Sequence, residues 1–152
     1  MTDFSTIPGI LAVSDTHGDV AALCTVLSWA KRKGLIHLVF LGDGTADIPA
    51  AMDRSGYQMQ VHMVRGNGDY GQQTAQTLVF EFNSYRFFLC HGHQFGVQDG
   101  YGPLLSAAGS VKADAALFGH THRPFREEIQ GKLVLNPGSL SRPRGKTGPS
   151  FA

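Results

Sequence analysis

Seven side chains able to bind divalent cations stand just after apolar runs in this chain. They are Asp15 and His17 in Ser14-Asp15-Thr16-His17, Asp43 in Leu41-Gly42-Asp43, Asn67 in Arg65-Gly66-Asn67-Gly68-Asp69, His91 in Cys90-His91-Gly92-His93, and His120 and His122 in Gly119-His120-Thr121-His122. Carboxylates favour manganese, magnesium or iron, and imidazoles favour zinc, iron or nickel. The mixed set therefore suits the ions used in phosphate-ester hydrolysis. Two ions about 3.5 to 4 Å apart need a shared anionic ligand, and a water held between them is acidified into a nucleophile. Asp43 is the candidate bridge. Asp15, His17 and one of the pair His120 and His122 complete one shell, and Asn67, His91 and the other histidine complete the second. A neutral amide at Asn67 avoids adding negative charge where an anionic phosphate must bind. Each fragment alone is a modest signal, since Asp43-Gly44 and Asn67-Gly68 also read as turn dipeptides. Ligands delivered from many strand ends to one rim is the economical explanation of all five together.

The elements that must position these groups are legible from periodicity. Residues 10–14 read as a short strand. Residues 20–33 carry Val20, Leu23, Cys24, Leu27 and Ala30 at helical spacing, with Asp19 as N-cap and Gly34 as stop. Residues 35–41 are a nearly continuous apolar run, as expected of a strand buried on both faces. A weaker helix over 48–55 ends at Gly56, and 58–64 is a third strand. Alternating strands and helices imply a parallel sheet with right-handed crossovers, where ligands collect outside the carboxyl ends of the strands. After Thr77 the pattern changes. Strands over 78–82 and 86–90 flank Asn83-Ser84-Tyr85 as a hairpin, 101–112 is helical in its central part, and 115–118 is the strand that presents His120 and His122. Strands over 125–130 and 132–135 flank Gly131, and Asn136-Pro137-Gly138-Ser139 is turn chemistry. A sandwich of two sheets with helices outside fits this β-rich second half better than a plain doubly wound sheet.

Composition bounds the alternatives. A chain of 152 residues is read as one domain, 1–152, and 42% hydrophobic with 16% charged residues is ordinary for a globular protein. The formal net charge of +1 supplies no field toward nucleic acid or anionic membrane. Residues 1–9 carry Asp3 and no basic stretch, and no run approaches a membrane span, so the cytoplasm is the default. Cys24 and Cys90 are read as buried thiols, and His37 and His62 as core or edge histidines. His93 either contacts the site or makes a structural hydrogen bond. Arg65, Arg142 and Arg144 match phosphate oxygens in chemistry, though each alone is more often a solvated surface arginine. Two nucleotide-binding patterns fail: Gly66 to Gly71 satisfies G-x-G-x-x-G but leaves no room for a crossover helix, and Gly145-Lys146-Thr147 lacks the first glycine of a P-loop.

Asp-x-His, Gly-Asp, Gly-Asn, a His and Gly-His-x-His, in that order from Asp15 to His122, make this chain resemble the calcineurin-like metallophosphoesterases. The resemblance implies that Asp15, His17, Asp43 and His122 hold one metal, and Asp43, Asn67, His91 and His120 the other. The short length, the His91-Gly92-His93 block and the Asn136 to Ser139 turn make it look like the small YfcE-like phosphodiesterase branch. That branch implies an α/β, four-layer αββα sandwich of two mixed sheets, with manganese as the expected metal and iron, nickel, cobalt or zinc as alternatives. Asp43, Asn67 and His91 are then the catalytic candidates.

Two departures stand out. Relatives carry His or Cys directly after the motif Asn, and this chain has Gly68, which can neither protonate a leaving group nor bind phosphate through a side chain. Relatives also continue beyond a segment like Pro149 to Ala152 into a final strand, so an open sheet edge is expected here. The expected activity is hydrolysis of a small phosphate ester, most naturally a phosphodiester, by attack of a metal-bound hydroxide. No dedicated nucleic-acid surface and no membrane contact are expected, and homo-oligomerisation is left open. The alternative is a protein-binding scaffold of the same fold, as in a retromer subunit that resembles this family. Residues shaping specificity are expected in 45–49, 70–77 and 95–103.

Overall fold

The structure, a computed structural model, describes residues 9–71 and 73–152; the reading of residues 1–8 as free of a targeting signal lies outside the described residues. The chain runs β1 (Ile10–Val13), α1 (Val20–Lys33), β2 (His37–Phe40), α2 (Asp47–Ser55), β3 (Gln60–Met63), β4 (Thr77–Phe82), β5 (Tyr85–Cys90), α3 (Gly102–Ser110), β6 (Ala115–Leu117), β7 (Phe125–Ile129) and β8 (Lys132–Asn136). The first three strands form a parallel sheet in the order β1-β2-β3, and the rest form a mixed sheet ordered β4-β5-β6-β8-β7. No described helix is long and apolar enough to cross a membrane.

Strand alternation builds the layers. Leu11, Val13, Leu38 and Phe40 pack against Leu23, Leu27 and Ala30 of α1 and against Ile48 and Ala51 of α2. The intervening Ala12 and Val39 face the other way, onto Phe80, Leu89, Ala115 and Leu117 of the second sheet. That sheet turns Phe88, Cys90, Ala116 and Val134 outward onto Leu104, Leu105 and Ala108 of α3. The result is an αββα sandwich, as expected.

Helix α1 owes its sharp ends to local chemistry. Asp19 accepts a hydrogen bond from the Ala22 N–H at 2.9 Å, and Gly34 closes the helix in a left-handed conformation. The expected open edge is corrected: Ala12 and Ala152 exchange both backbone hydrogen bonds, at 2.7 and 3.0 Å, and Phe151 packs edge-on against Trp29. A reciprocal pair of this kind is antiparallel, so β1 is covered there. His37 and His62 do lie in adjacent strands. Their ring nitrogens are 3.2 Å apart, and His62 stacks on Phe80 at 3.7 Å between the sheets.

Candidate metal centre

β1, β2 and β3 run parallel to one another, as do β5 and β6, and all five release a motif residue at their carboxyl ends. Five of those residues, Asp15, His17, Asp43, His120 and His122, have φ between 45° and 69°. Side chains rarely adopt this left-handed region, and its clustering at one rim marks a loop set shaped for more than connection. Asn67-Gly68, which also reads as a turn dipeptide, does lie in a turn, with Asp69 N–H donating to the Gly66 carbonyl. Neither Asn67 nor Gly68 has positive φ, so it is not a type I′ hairpin turn.

Asp15, His17 and His122 converge first. His17 Nε2 lies 3.1 Å from His122 Nε2, and Asp15 Oδ1 lies 3.2 Å from His122 Nε2 and 3.6 Å from His17 Nε2. Asp15, Asp43 and His91 form a second cluster, with His91 Nε2 at 3.4 Å from Asp43 Oδ2 and 3.9 Å from Asp15 Oδ1. Asp43 Oδ2 is also 3.8 Å from His17 Nε2, so it stands between the two groups. His120 Nδ1 is 3.2 Å from His91 Nε2, and Asn67 lines the same cleft from an exposed position. Asp15 thus touches both clusters, a sharing that sequence spacing does not reveal.

Whether these atoms fit a cation can be judged from the geometry. Donors around a divalent ion with bonds of about 2.1 Å lie roughly 3.0 to 3.4 Å apart in octahedral or tetrahedral shells. The shortest separations above span that range. Asp15 Oδ1 is buried without a hydrogen-bond partner, whereas Asp15 Oδ2 accepts from Ser14 Oγ at 2.6 Å and the His120 N–H at 3.0 Å. One oxygen is therefore held in place and the other is left aimed at three imidazoles. His91 Nδ1–H donates to the Leu41 carbonyl and His122 Nδ1–H to the Arg142 carbonyl, each at 2.7 Å. Carbonyls only accept, so both rings are fixed with Nε2 facing the cluster, the arrangement of ligating histidines. The residues fit.

Electrostatics agree. Burial alone raises the Asp15 pKa, but the His122 and His17 rings beside it and the charge of His91 overcome it and hold the carboxyl well below its usual range. Burial raises Asp43 too, but His91 and the Gly68 N–H together outweigh it and hold the carboxyl below its ordinary value. His122 is raised by Asp15, and His91 is raised by Asp43 and Asp15 against its own burial. The two carboxylates thus create a sink for positive charge. His120 and His93, lowered by burial and then by His91, stay neutral more readily.

Supporting residues emerge that sequence reasoning gave no role. The Asp69 carboxylate accepts four backbone N–H groups, from Asp43 at 2.8 Å, Gly66 at 2.7 Å, Gly44 at 2.8 Å and Thr45 at 3.1 Å. Asp47 accepts from Thr16 Oγ1 at 2.6 Å and the Gly18 N–H at 2.9 Å. Ser139 Oγ donates to the Asp15 carbonyl, and Asn136 Nδ2 to that of Gly119. An acid directly closing the Gly-Asn-Gly-Asp run was the available hint for Asp69. Gly66 is obligatory, since a Cβ there would meet Asp43 N at 2.6 Å and Asp43 Cγ at 2.8 Å.

Residues 9–152 match the calcineurin-like phosphoesterase superfamily domain. The chain belongs to that superfamily. This is a family of metal-dependent phosphoesterases, and the two clusters above are the candidate metal-binding groups. The phosphoesterase chain is 30% identical to phosphodiesterase YfcE of Escherichia coli K12 over 162 aligned positions, covering 93% of this chain and 84% of that one. A Streptococcus pneumoniae protein described as a predicted phosphoesterase shares its structure with TM-score 0.77 at 29% identity, covering 91% of this chain and 76% of that one. A single mutant of Vps29 from Entamoeba histolytica is similar too, with TM-score 0.78 at 26% identity over 93% and 82%.

Proposed function

We propose that the chain acts as a single metallophosphoesterase domain that hydrolyses a phosphodiester with two divalent cations, manganese first among them. The observation that carries this is the buried, unpartnered Asp15 Oδ1 facing His17, His91 and His122 beside Asp43 Oδ2. Asp15, His17, Asp43 and His122 would hold one cation and Asp43, Asn67, His91 and His120 the other. Two cations in such a site supply Lewis-acid activation of water and of the phosphoryl oxygens.

The protein's own part is positioning and charge. His91 and His122 present fixed ring nitrogens, and the Gly68 N–H holds Asp43 Oδ1 at 2.7 Å so that Oδ2 faces the clusters. The Gln98 side-chain amide lies 3.1 Å from His120 Nε2, and its orientation selects which ring nitrogen of His120 carries the proton. Arg142 and Arg144 line the cleft with Asn67 and suit the anionic oxygens of the ester. In the reaction a water oxygen forms a bond to phosphorus and gives up a proton to solvent, while the ester P–O bond breaks with its electron pair staying on the leaving oxygen. Residue 68 has no side chain to return a proton to that oxygen, so an acidic leaving group that departs as the free anion is favoured.

A second reading, a non-catalytic scaffold, draws on the likeness to Vps29. The complete ligand set weighs against it. The deciding experiment is hydrolysis of bis(p-nitrophenyl) phosphate by metal-stripped protein titrated with manganese, beside Asp43→Ala and His91→Ala. Activity should return with metal in the parent and not in the variants. A folded parent inactive with every divalent metal would favour the scaffold.

A further inference from the structure

Beside the metal cleft lies a second cavity of about 560 Å³, twice the roughly 270 Å³ of the cleft that Asn67, His120 and His122 line. Gln98 and Arg144 border both, so the two spaces adjoin. The wall of the larger cavity is aromatic: half-buried Tyr101 and Phe125 pack with ring centroids 4.8 Å apart, above buried Val97. Its rim is cationic and polar, with Arg123, Arg144, Gln98 and Thr121. Arg123, Arg142 and Arg144 have no ion-pair or side-chain hydrogen-bond partner among the described residues, whereas Arg86 is paired with Glu81 at 2.7 Å. The clusters account for the phosphorus under attack, but nothing in them uses the larger cavity or Arg123.

We propose that this cavity is the subsite for one arm of the substrate, and that it takes a flat aromatic ring carrying a second anionic group, the chemistry of a nucleotide. The inference rests on the phosphodiesterase reading of the adjoining centre. A volume of this size holds one nucleoside-sized group and not a polymer. A ring entering beside Tyr101 and Phe125 meets an apolar, polarisable wall, as bases do on aromatic side chains. The half of the Gln98 amide not turned to His120 serves its polar edge, and the forked guanidinium of Arg123 matches a phosphate at the rim. With Arg144 between the spaces, the two anionic groups of such a ligand each have an arginine. The near-neutral net charge of the chain is compatible, because a small ligand is selected by a local pair of arginines and needs no basic face.

Three esters with the same p-nitrophenolate leaving group separate the contributions: methyl p-nitrophenyl phosphate, p-nitrophenyl thymidine 5′-phosphate, and the latter with an added 3′-phosphate. With manganese-loaded protein, kcat/KM should rise roughly tenfold for the ring and again roughly tenfold for the second phosphate. In Arg123→Ala the ratio between the last two esters should collapse toward one, with partial recovery in Arg123→Lys; Tyr101→Leu should lower the ratio between the first two. Calorimetry gives a readout independent of turnover, in which thymidine 3′,5′-bisphosphate binds more tightly than inorganic phosphate and Arg123→Ala removes the difference. Equal kcat/KM for all three esters, with no preference for the bisphosphate, overturns the subsite while leaving the phosphodiesterase standing. Bisphosphate binding through Arg123 without hydrolysis of any ester sustains the subsite and overturns the catalytic reading.

Discussion

Replacing Asp69 by Asn tests whether one carboxylate holds the loops of the candidate metal centre together. Its two oxygens each accept two backbone N–H groups, Oδ2 from Asp43 and Gly66, Oδ1 from Gly44 and Thr45. Asparagine keeps one oxygen and turns an NH₂ toward the other two donors. Two bonds to a charged acceptor are lost, each worth about 1.5 to 3 kcal/mol. Asp69 is half-buried, so water re-satisfies part of that loss, and about 2 to 4 kcal/mol of destabilisation remains. Out of a total stability of about 5 to 15 kcal/mol this is a large share. For a chain of this size it corresponds to a drop in Tm of about 5 to 15 °C. Urea and thermal unfolding in excess chelator measure it without a contribution from bound metal. Released from Asp69, the Asp43 backbone shifts, and manganese-dependent turnover should fall about a hundredfold. A variant within about 0.5 kcal/mol of the parent, the range of an ordinary surface substitution, with unchanged metal dependence, would refute the argument.

Gly66→Ala should lose manganese affinity and about a hundredfold in activity, because its Cβ would displace Asp43, whereas Gly68→Ala, whose Cβ meets Asp43 Oδ1 at 3.1 Å, should lose far less; calorimetric manganese titration of both decides it. The parent should hydrolyse aryl phosphodiesters with higher kcat/KM than alkyl monoesters, and Gly68→His, at a position without left-handed strain, should narrow that gap by supplying an acid; an alkyl monoester turned over equally well by the parent would sink this. His62 is held below the ordinary imidazole pKa by burial and then by His37. The unfolded chain therefore binds the proton first, and the contribution of His62 is complete above about pH 6.5 and lost as pH falls below it. The urea midpoint should drop between about pH 7.5 and about pH 5.5 in the parent and drop less in His62→Phe; identical drops would remove His62 from the explanation.

What could be read from the sequence was mostly local. Helix α1 declared both its ends through Asp19 and Gly34, and the Asn83-Ser84 and Gly131 hairpins followed from turn residues between apolar runs. The candidate ligand residues were visible because each follows a strand. The same alternation failed to show the contacts of Asp47 with Thr16, Ser139 with Asp15, or Asn136 with Gly119, since such bonds join segments far apart in sequence and exist only once the sheets are stacked. The one-turn helix His93–Phe95 was missed because three residues carry no periodicity. Covering of β1 by Ala152 is likewise a long-range backbone pairing with no side-chain signature. Parts of the loops expected to shape specificity do line the cavities: Thr45 and Tyr70 on one side of the centre, Val97, Gln98 and Tyr101 on the other.

The left-handed backbone at Asp15, His17, Asp43, His120 and His122 has an evolutionary consequence. Asn, Asp, His and Gly tolerate that conformation, so single-step drift from a ligand to Asn or Gly meets little resistance from the chain itself. Such a change would remove a candidate cation ligand while the loops, still tied by Asp69, Asp47 and Ser139, keep their course. A lineage with this architecture can therefore shed its chemistry one ligand at a time and still inherit an intact surface on which other selection can act.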